Sequence, residues 1–164
     1  MERNFKNCLL HADRLFSIRR RVTLGKTNVQ GGAYFAEFFA WTGEAREELL
    51  AEMRFPKGFT FHTSEATMKY LRELLPMEEF ELFVWPEAKG FSLSLRFFFV
   101  RGAELVAIGD QEICLKYDGR MIPIPETLAS SIQQHDPDDI YEEQNQVVDG
   151  NPYGRMPGGQ PSKG

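Results

Sequence analysis

The fold of this 164-residue chain is decided by residues 33–41, which read AYFAEFFAW, with Glu37 the one residue of the nine that is not apolar. A helix that is apolar on nearly every side is buried rather than lying at a surface. Residues 43–50 continue as an amphipathic helical pattern, and Pro56 ends it. The sequence therefore predicts a long helix over residues 33–53.

Shorter apolar runs bounded by turns flank this helix and predict strands. One run lies before the helix at residues 18–26, and a polar turn at residues 27–32 connects this run to the helix. Four more follow the helix, at residues 59–71, 80–88, 91–100 and 105–117, with Pro86 indicating an edge or a bulge. Pro123 opens a short helix to about residue 134. Because helices do not alternate with strands, we expect one α+β domain in which an antiparallel sheet curls around the long helix.

Composition divides the chain into three parts. All 14 phenylalanines lie between Phe5 and Phe99, whereas residues 135–164 hold six acidic residues, two basic ones, four prolines and five glycines. Such a stretch lacks the apolar side chains that offset the entropy cost of ordering. We expect an N-terminal extension at residues 1–16, a folded domain at residues 17–134 and an acidic, disordered tail at residues 135–164. Most of the net charge of −5 then belongs to the tail.

Several functional classes are disfavoured. The acidic balance argues against binding to nucleic-acid phosphates, and no apolar run reaches the ~18 residues of a membrane-spanning helix. The N-terminus lacks the apolar segment of a secretory signal, so we expect a cytoplasmic protein in which Cys8 and Cys114 are free thiols. The scattered histidines, with no cysteine cluster, predict no metal site, and no cofactor motif is present (His11, His62 and His135).

Residues 27–47 resemble a known family. The loop TNVQGGAYF (27–35) and the helical segment WTGEARE (41–47) are similar to hotdog-fold acyl thioesterases of the 4-hydroxybenzoyl-CoA thioesterase type, in which a D-x-D-x-x-G-x-V-Y/F loop enters a buried helix. The resemblance covers residues 17–134. It implies a hotdog fold, hydrolysis of an acyl thioester, and a homodimer or dimer-of-dimers tetramer with active sites at the subunit interface.

The loop departs from that family at its two acids. Lys26 and Asn28 stand where the acids would be, and the second acid is the catalytic carboxylate; an amide cannot replace it as a general base. Thioesterases of enediyne polyketide biosynthesis share this change, and this chain matches their T-N-x-x-G-x-x-Y loop, their W-x-G-x-x-R-E helix motif and the spacing of 18 between Asn and Arg. The resemblance implies that Asn28 and Arg46 position water and polarise the thioester, without an acidic nucleophile.

Thioester hydrolysis also needs a site for the developing oxyanion. Backbone N–H groups at a helix N-terminus supply one, and Gly31 and Gly32 let the backbone approach a substrate closely. Glu47 is a reserve catalytic residue, because a hotdog relative uses a helix glutamate as nucleophile or base. Structural interpretations stay open: Asn28 as a turn residue, Arg46 as the partner of a neighbouring glutamate, and Glu47 as a solvent-exposed charge.

Two further sets of residues are candidates for binding the substrate. An aromatic run along the helix would suit a long apolar acyl group, although core packing would use the same side chains (Tyr34, Phe35, Phe38 and Trp41). The basic run at residues 19–21 lies beside the loop, and Arg19 and Arg21 would bind the phosphates of coenzyme A or an acyl carrier protein. The alternative is a solvated strand surface.

The spacing constrains how the site is assembled. Thirteen residues separate Ala33 from Arg46, roughly 20 Å along a helix, so we expect Asn28 and Arg46 to reach one thioester from different subunits. Two alternative functions stay open: an acyl-CoA thioesterase of primary metabolism and a non-catalytic hotdog protein that binds acyl chains. A hotdog dehydratase is disfavoured because residues 25–40 contain no histidine.

Overall fold

The structure is a computed structural model that describes residues 15–53, 57–126 and 129. The helix of the central part of the chain is α1 (Phe35–Glu52), and it is preceded by a short 3-10 helix (Leu24–Lys26). The strands are β1 (Phe16–Arg21), β2 (Phe59–Tyr70), β3 (Glu79–Lys89), β4 (Ser92–Arg101), β5 (Glu104–Tyr117) and β6 (Arg120–Met121). No helix in the described part of the chain is long and apolar enough to cross a membrane.

All strands join one antiparallel sheet in the order β1-β3-β4-β5-β2, and β6 pairs with the end of β5. The prediction of an α+β fold with consecutive antiparallel strands is therefore confirmed. The sheet order puts β1 and β2 at opposite edges. The connection from β2 to β3 crosses the sheet, and its Leu74 is buried in the core.

Alternation along the strands gives the sheet two apolar faces. On the face that carries α1, inward side chains of β4 pack with the helix (Leu93, Leu95, Phe97 and Phe99). Trp41 lies at the centre of this cluster, with its ring 4.7 Å from that of Phe80 and 5.4 Å from that of Phe38. A smaller cluster on the opposite face contains Trp85 and Phe98.

The boundaries differ from the predictions at three places. The first strand ends at Arg21, because the chain turns into the 3-10 helix instead of continuing to residue 26. Helix α1 begins at Phe35, two residues later than predicted, since Ala33 donates its N–H to the carbonyl of Leu74. The two-residue strand β6 was not predicted. The short helix after Pro123, the N-terminal extension and the acidic tail lie largely outside the described residues.

Pro86 is tolerated inside β3 because of where β1 ends. Strand β1 pairs with β3 from Glu79 to Val84, so Pro86 lies beyond that pairing and has a strand neighbour, β4, on its other side. Proline cannot donate a ladder hydrogen bond and is confined to such positions.

The prediction that the first half of the helix is buried on all sides is wrong for a single chain. Phe38 and Trp41 are buried, but 56% of Phe35 and 37% of Phe39 are exposed. The exposed aromatic residues share one side of α1, next to the edge strand β2. An uncovered apolar stripe of this kind is typical of a surface that another molecule covers.

Candidate active site

The loop before α1 is held by its own backbone and by Asn28. The Asn28 N–H donates to the carbonyl of Gly32 at 2.8 Å, and the carbonyl of Asn28 accepts from the N–H of Gly31 at 3.0 Å. The side-chain Oδ1 of Asn28 accepts from the N–H of Gln30 at 2.9 Å. The side-chain oxygen therefore supports the loop, while the Nδ2 amide makes no hydrogen bond within the described part of the chain and can donate to an external acceptor.

Gly31 is required in this loop because its φ of +92° lies in the left-handed region. Gly32 is not required for steric reasons, because a Cβ at this position would lie 3.9 Å from Nδ2 of Asn28, which is an ordinary contact distance. Helix α1 then starts after Tyr34 with no side-chain cap. The N–H of Glu37 donates to the carbonyl of Tyr34 at 2.9 Å, so the N–H groups of Phe35 and Ala36 are the ones at the start of the helix without a partner among the described residues.

A carboxylate that sequence reasoning missed lies in the first turn of α1. Glu37 pairs with Lys26, whose Nζ is 3.0 Å from Oε2 of the glutamate and 5.2 Å from the centroid of the Trp41 ring. The sequence feature that could have pointed to Glu37 is that it is the single charged residue in an apolar run. The pair holds the side chain of Glu37 against the loop.

Arg46 lies at the other end of the helix, against the edge strand β2. Its Nη1 donates to Oγ1 of Thr63 at 2.7 Å, and its Nε and Nη2 donate to Oε1 of Glu47 at 3.0 and 2.7 Å. Thr63 is a site residue that the sequence did not indicate, because an exposed strand threonine carries no signal of its own. Glu47 is exposed and paired with Arg46, as the structural interpretation of both residues anticipated.

The side chains on one side of α1 lie next to β2. Residues spaced by three or four along a helix share a face, and four of these contact β2 or lie beside it (Phe35, Phe39, Thr42 and Arg46). The hydroxyl of Tyr70 in β2 donates to the carbonyl of Phe35 at 3.0 Å. Burial of the Tyr70 ring raises the pKa of that hydroxyl above its ordinary value. The side of α1 next to β2 is therefore aromatic near the start of the helix and carries Arg46 farther along.

The structure does not bring Asn28 and Arg46 together within one chain. Arg46 is eleven residues into α1 after Phe35, roughly 17 Å along the axis. The hydrogen bonds of Asn28 are made within its own loop, whereas those of Arg46 are made with Glu47 and Thr63. Within one chain the two residues therefore lie in separate places, as the spacing predicted.

The predicted aromatic substrate-binding residues divide into two groups. Phe38 and Trp41 are packed in the core and support the helix. Tyr34 and Phe35 are half-exposed, with ring centroids 4.5 Å apart, and are accessible to a ligand. The exposed pair is therefore the better candidate for contacting an acyl chain.

The basic run of β1 is largely neutralised by carboxylates of the same chain. Arg20 pairs with Glu44 and Glu48 of α1, and Arg21 pairs with Glu79 of β3. Burial opposes the charge of Arg20, but hydrogen bonds to the two glutamates outweigh it and raise its pKa above the usual value. Hydrogen bonding to Arg21 lowers the pKa of Glu79. Arg19, which is exposed, is the residue of the run best placed to meet an anionic carrier.

A cavity of about 320 Å³ lies on the opposite face of the sheet and is not part of this site. It is lined by Trp85, Phe98 and the ion pair between Arg96 and Asp110. Strand alternation places these side chains away from α1. Among the described residues no group of three or more His, Cys, Asp or Glu side chains is arranged to hold a metal ion.

Comparison with known proteins assigns the family. Residues 22–132 match the family described as the thioesterase-like superfamily. A helix packed on a curled antiparallel sheet, with a glycine-containing loop at the helix entry, is the arrangement expected of that class. The chain therefore belongs to the thioesterase-like superfamily. No curated protein has a sequence that matches this chain significantly.

Solved structures with the same fold include several thioesterases. The dynemicin thioesterase is 24% identical with a TM-score of 0.64, over 72% of this chain and 96% of that one. A gentisyl-coenzyme A thioesterase is 25% identical with a TM-score of 0.61, over 66% and 95% of the two chains. A 1,4-dihydroxy-2-naphthoyl-CoA thioesterase from Synechocystis is 17% identical with a TM-score of 0.64, over 74% and 99%.

Proposed function

We propose that this protein hydrolyses an acyl thioester, with a fatty or polyketide acyl group carried by an acyl carrier protein or by coenzyme A. The observation that carries the proposal is the side of α1 next to β2, where Arg46 is held on Thr63 and where Phe35 and Phe39, nearer the start of the helix, are exposed. Superfamily membership makes thioester hydrolysis the expected reaction. The similarity of the Asn28 loop to enediyne polyketide thioesterases supports a polyketide acyl group.

The second half of each site comes from a second copy of the chain. Strand β2 is an edge strand with mostly exposed side chains, and such an edge invites pairing with another strand. The neighbouring exposed aromatic residues Phe35 and Phe39 would be covered at the same time. In this homodimer α1 becomes a helix buried at the centre of its curled sheet. Two such dimers would form a tetramer.

The reaction assigned to this site is direct attack by water. The Nδ2 group of Asn28 donates a hydrogen bond to the thioester oxygen, and the first N–H groups of α1 stabilise the oxyanion as the carbonyl becomes tetrahedral. Arg46 of the other subunit binds the attacking water or the carbonyl. The C–S bond then breaks, releasing a carboxylic acid and a thiol. Without a general base the rate is lower by about 10²–10⁴, a tolerable loss for a slow biosynthetic step.

A paired hydrolysis assay tests this function. Acyl-carrier-protein and acyl-CoA substrates with the same acyl chain are compared, and release of the thiol is measured for the wild type, Asn28→Ala and Arg46→Ala. We expect turnover by the wild type and a loss of about tenfold or more in each variant. Absence of turnover with either carrier would favour the non-catalytic acyl-binding protein. Equal rates for all three proteins would remove the site assignment.

A further inference from the structure

The start of α1 accepts a hydrogen bond that the proposed reaction does not yet use. The hydroxyl of Tyr70 donates to the carbonyl of Phe35 at 3.0 Å. The direction of this bond is unambiguous, because a carbonyl oxygen only accepts and the tyrosine must therefore supply the proton. Burial raises the pKa of the Tyr70 hydroxyl, so at neutral pH the hydroxyl keeps the proton that it donates.

Tyr70 is held in place by the sheet and by the helix. It is the last residue of β2 and lies opposite Ala107 of β5. Its ring packs edge-on against that of Phe38, with the two centroids 5.1 Å apart. Tyr34, the residue before the helix, makes no side-chain capping bond. The tyrosine hydroxyl therefore reaches the first residue of α1 from a fixed position and ties it to the edge strand.

The carbonyl that accepts this bond shares a peptide group with an unpaired N–H. The C=O of Phe35 and the N–H of Ala36 belong to one planar unit, in which resonance couples the oxygen to the nitrogen. A hydrogen bond to the oxygen draws electron density from the nitrogen and makes the N–H a stronger donor, as in a cooperative chain of hydrogen bonds. The N–H of Ala36 has no partner among the described residues, and Phe35 and Ala36 are exposed, so a ligand can approach this peptide.

We propose that Tyr70 is a positioning residue of the oxyanion site, because its bond to Phe35 orients and polarises the peptide whose N–H, that of Ala36, donates to the thioester oxygen. The inference rests on the proposed function and adds a residue of β2 to the oxyanion-binding part of the site. A hydrogen bond from the N–H strengthens as negative charge develops on the oxygen, so it stabilises the transition state more than the bound substrate. Loss of the Tyr70 hydroxyl should therefore lower kcat and leave KM little changed.

The variant Tyr70→Phe tests the proposal, because it keeps the ring against Phe38 and removes only the hydroxyl. We expect kcat for thioester hydrolysis to fall about two- to fivefold, with KM and the melting temperature close to those of the wild type. Tyr117→Phe is the matched control. Tyr117 ends β5, is exposed to a similar degree, and its hydroxyl makes no hydrogen bond within the described part of the chain. We expect this control to keep the kcat of the wild type.

A spectroscopic measurement separates this inference from the proposed function. Phenylalanine is followed by alanine at residues 35–36 and 39–40 and nowhere else in the sequence. Labelling the carbonyl carbon of phenylalanine and the nitrogen of alanine with NMR-active isotopes therefore selects the amide signals of Ala36 and Ala40. In Tyr70→Phe we expect the amide proton of Ala36 to move upfield, because its peptide is less polarised, and that of Ala40 to stay in place.

The kinetic and spectroscopic results can fail independently. If no thioester is hydrolysed, the proposed function fails, and the Ala36 signal still decides whether Tyr70 polarises this peptide. An Ala36 signal that is the same in the wild type and in Tyr70→Phe would overturn the inference. A kcat of Tyr70→Phe equal to that of Tyr117→Phe, or a loss confined to KM or to the melting temperature, would also overturn it.

Discussion

The guanidinium of Arg46 donates to the hydroxyl of Thr63 across 2.7 Å, which ties helix α1 to the edge strand β2. The same guanidinium also holds Glu47, so two of its three nitrogens are engaged by a carboxylate on its own helix. Thr63 is the contact that directs the remaining nitrogen toward the strand. The position of Arg46 in the site therefore depends on a residue of β2.

Replacing Thr63 by valine tests that dependence. The change keeps the shape and β-propensity of the side chain but removes the acceptor, so Arg46 swings toward Glu47. We expect kcat/KM for thioester hydrolysis to fall about tenfold, as for loss of one hydrogen bond to a charged group, with little change in melting temperature. Thr60→Val on the same strand is the matched control. An equal loss in the control variant would assign the effect to the strand and not to Arg46.

The variant Asn28→Asp distinguishes the role of the Oδ1 oxygen of Asn28 from the role of its Nδ2 group. An aspartate still accepts from the N–H of Gln30 and keeps the loop, but it has no proton to donate to a thioester oxygen. We expect Asn28→Asp and Asn28→Ala to lose activity to a similar degree at pH 7. An aspartate variant faster than the wild type would mean that this loop favours a general base, and would contradict the assigned donor role.

Much of the fold is readable from the sequence, because apolar spacing determines which face of each element is buried. The alternation of Leu93, Leu95 and Phe97 predicts β4, and its inward face is the face that packs on the helix. What the sequence could not supply is pairing between distant segments. The sheet order places β2 beside β5. This order determines the contacts of α1 with both strands, between Arg46 and Thr63 and between Thr42 and Gln111.

The site was predictable where it resembles a known motif and not elsewhere. The loop at Asn28 and the helix segment at Arg46 match a family pattern, so both were singled out. Thr63 and Glu37 were missed, because a threonine in a strand and one acid in an apolar run have common structural explanations. The sequence leaves both a docking surface and a solvated strand surface open for the basic run, because it does not show that Arg20 pairs with acids that are close in space and distant in sequence.

We expect the protein to be less stable in acid, because acid protonates the glutamates that pair with Arg101. Burial opposes ionisation of Glu78, but hydrogen bonds from the Leu75 N–H and from Arg101 outweigh it and lower its pKa below the ordinary value of a glutamate. A hydrogen bond from Arg101 also lowers the pKa of Glu104. Because both pKa values are depressed by folding, their contribution is complete above about pH 4.5 and is lost as pH falls through the folded-state values.

Arg101→Met tests this linkage by urea unfolding at pH 7 and at pH 3. We expect the variant to be less stable than the wild type at pH 7 and to lose less stability on acidification. Arg96→Met is the control, since it breaks the pair with Asp110 and leaves Glu78 and Glu104 with Arg101. The same pH dependence in the wild type and in Arg101→Met would show that other carboxylates control acid unfolding.

Trp41 should be a main determinant of stability. It is 1% exposed and contacts the rings of Phe38, Phe80 and Phe99. Trp41→Ala is expected to lower the free energy of unfolding by about 3–5 kcal/mol. Phe91→Ala, at a position 53% exposed, should change it by less than about 0.5 kcal/mol. Chemical unfolding followed by circular dichroism measures both, and a small effect of Trp41→Ala would contradict the assigned core.

The central claim is that one thioester site takes Asn28 from one subunit and Arg46 from the other. Mixing inactive Asn28→Ala with inactive Arg46→Ala, after unfolding and refolding them together, gives heterodimers in which one of two sites has both wild-type residues. The measurement is the hydrolysis rate of the mixture. We expect the mixture to recover about a quarter of wild-type activity, since about half of the dimers are mixed and one of their two sites is complete. A mixture that stays as inactive as the separate variants, while mixed dimers are shown to form, would contradict it.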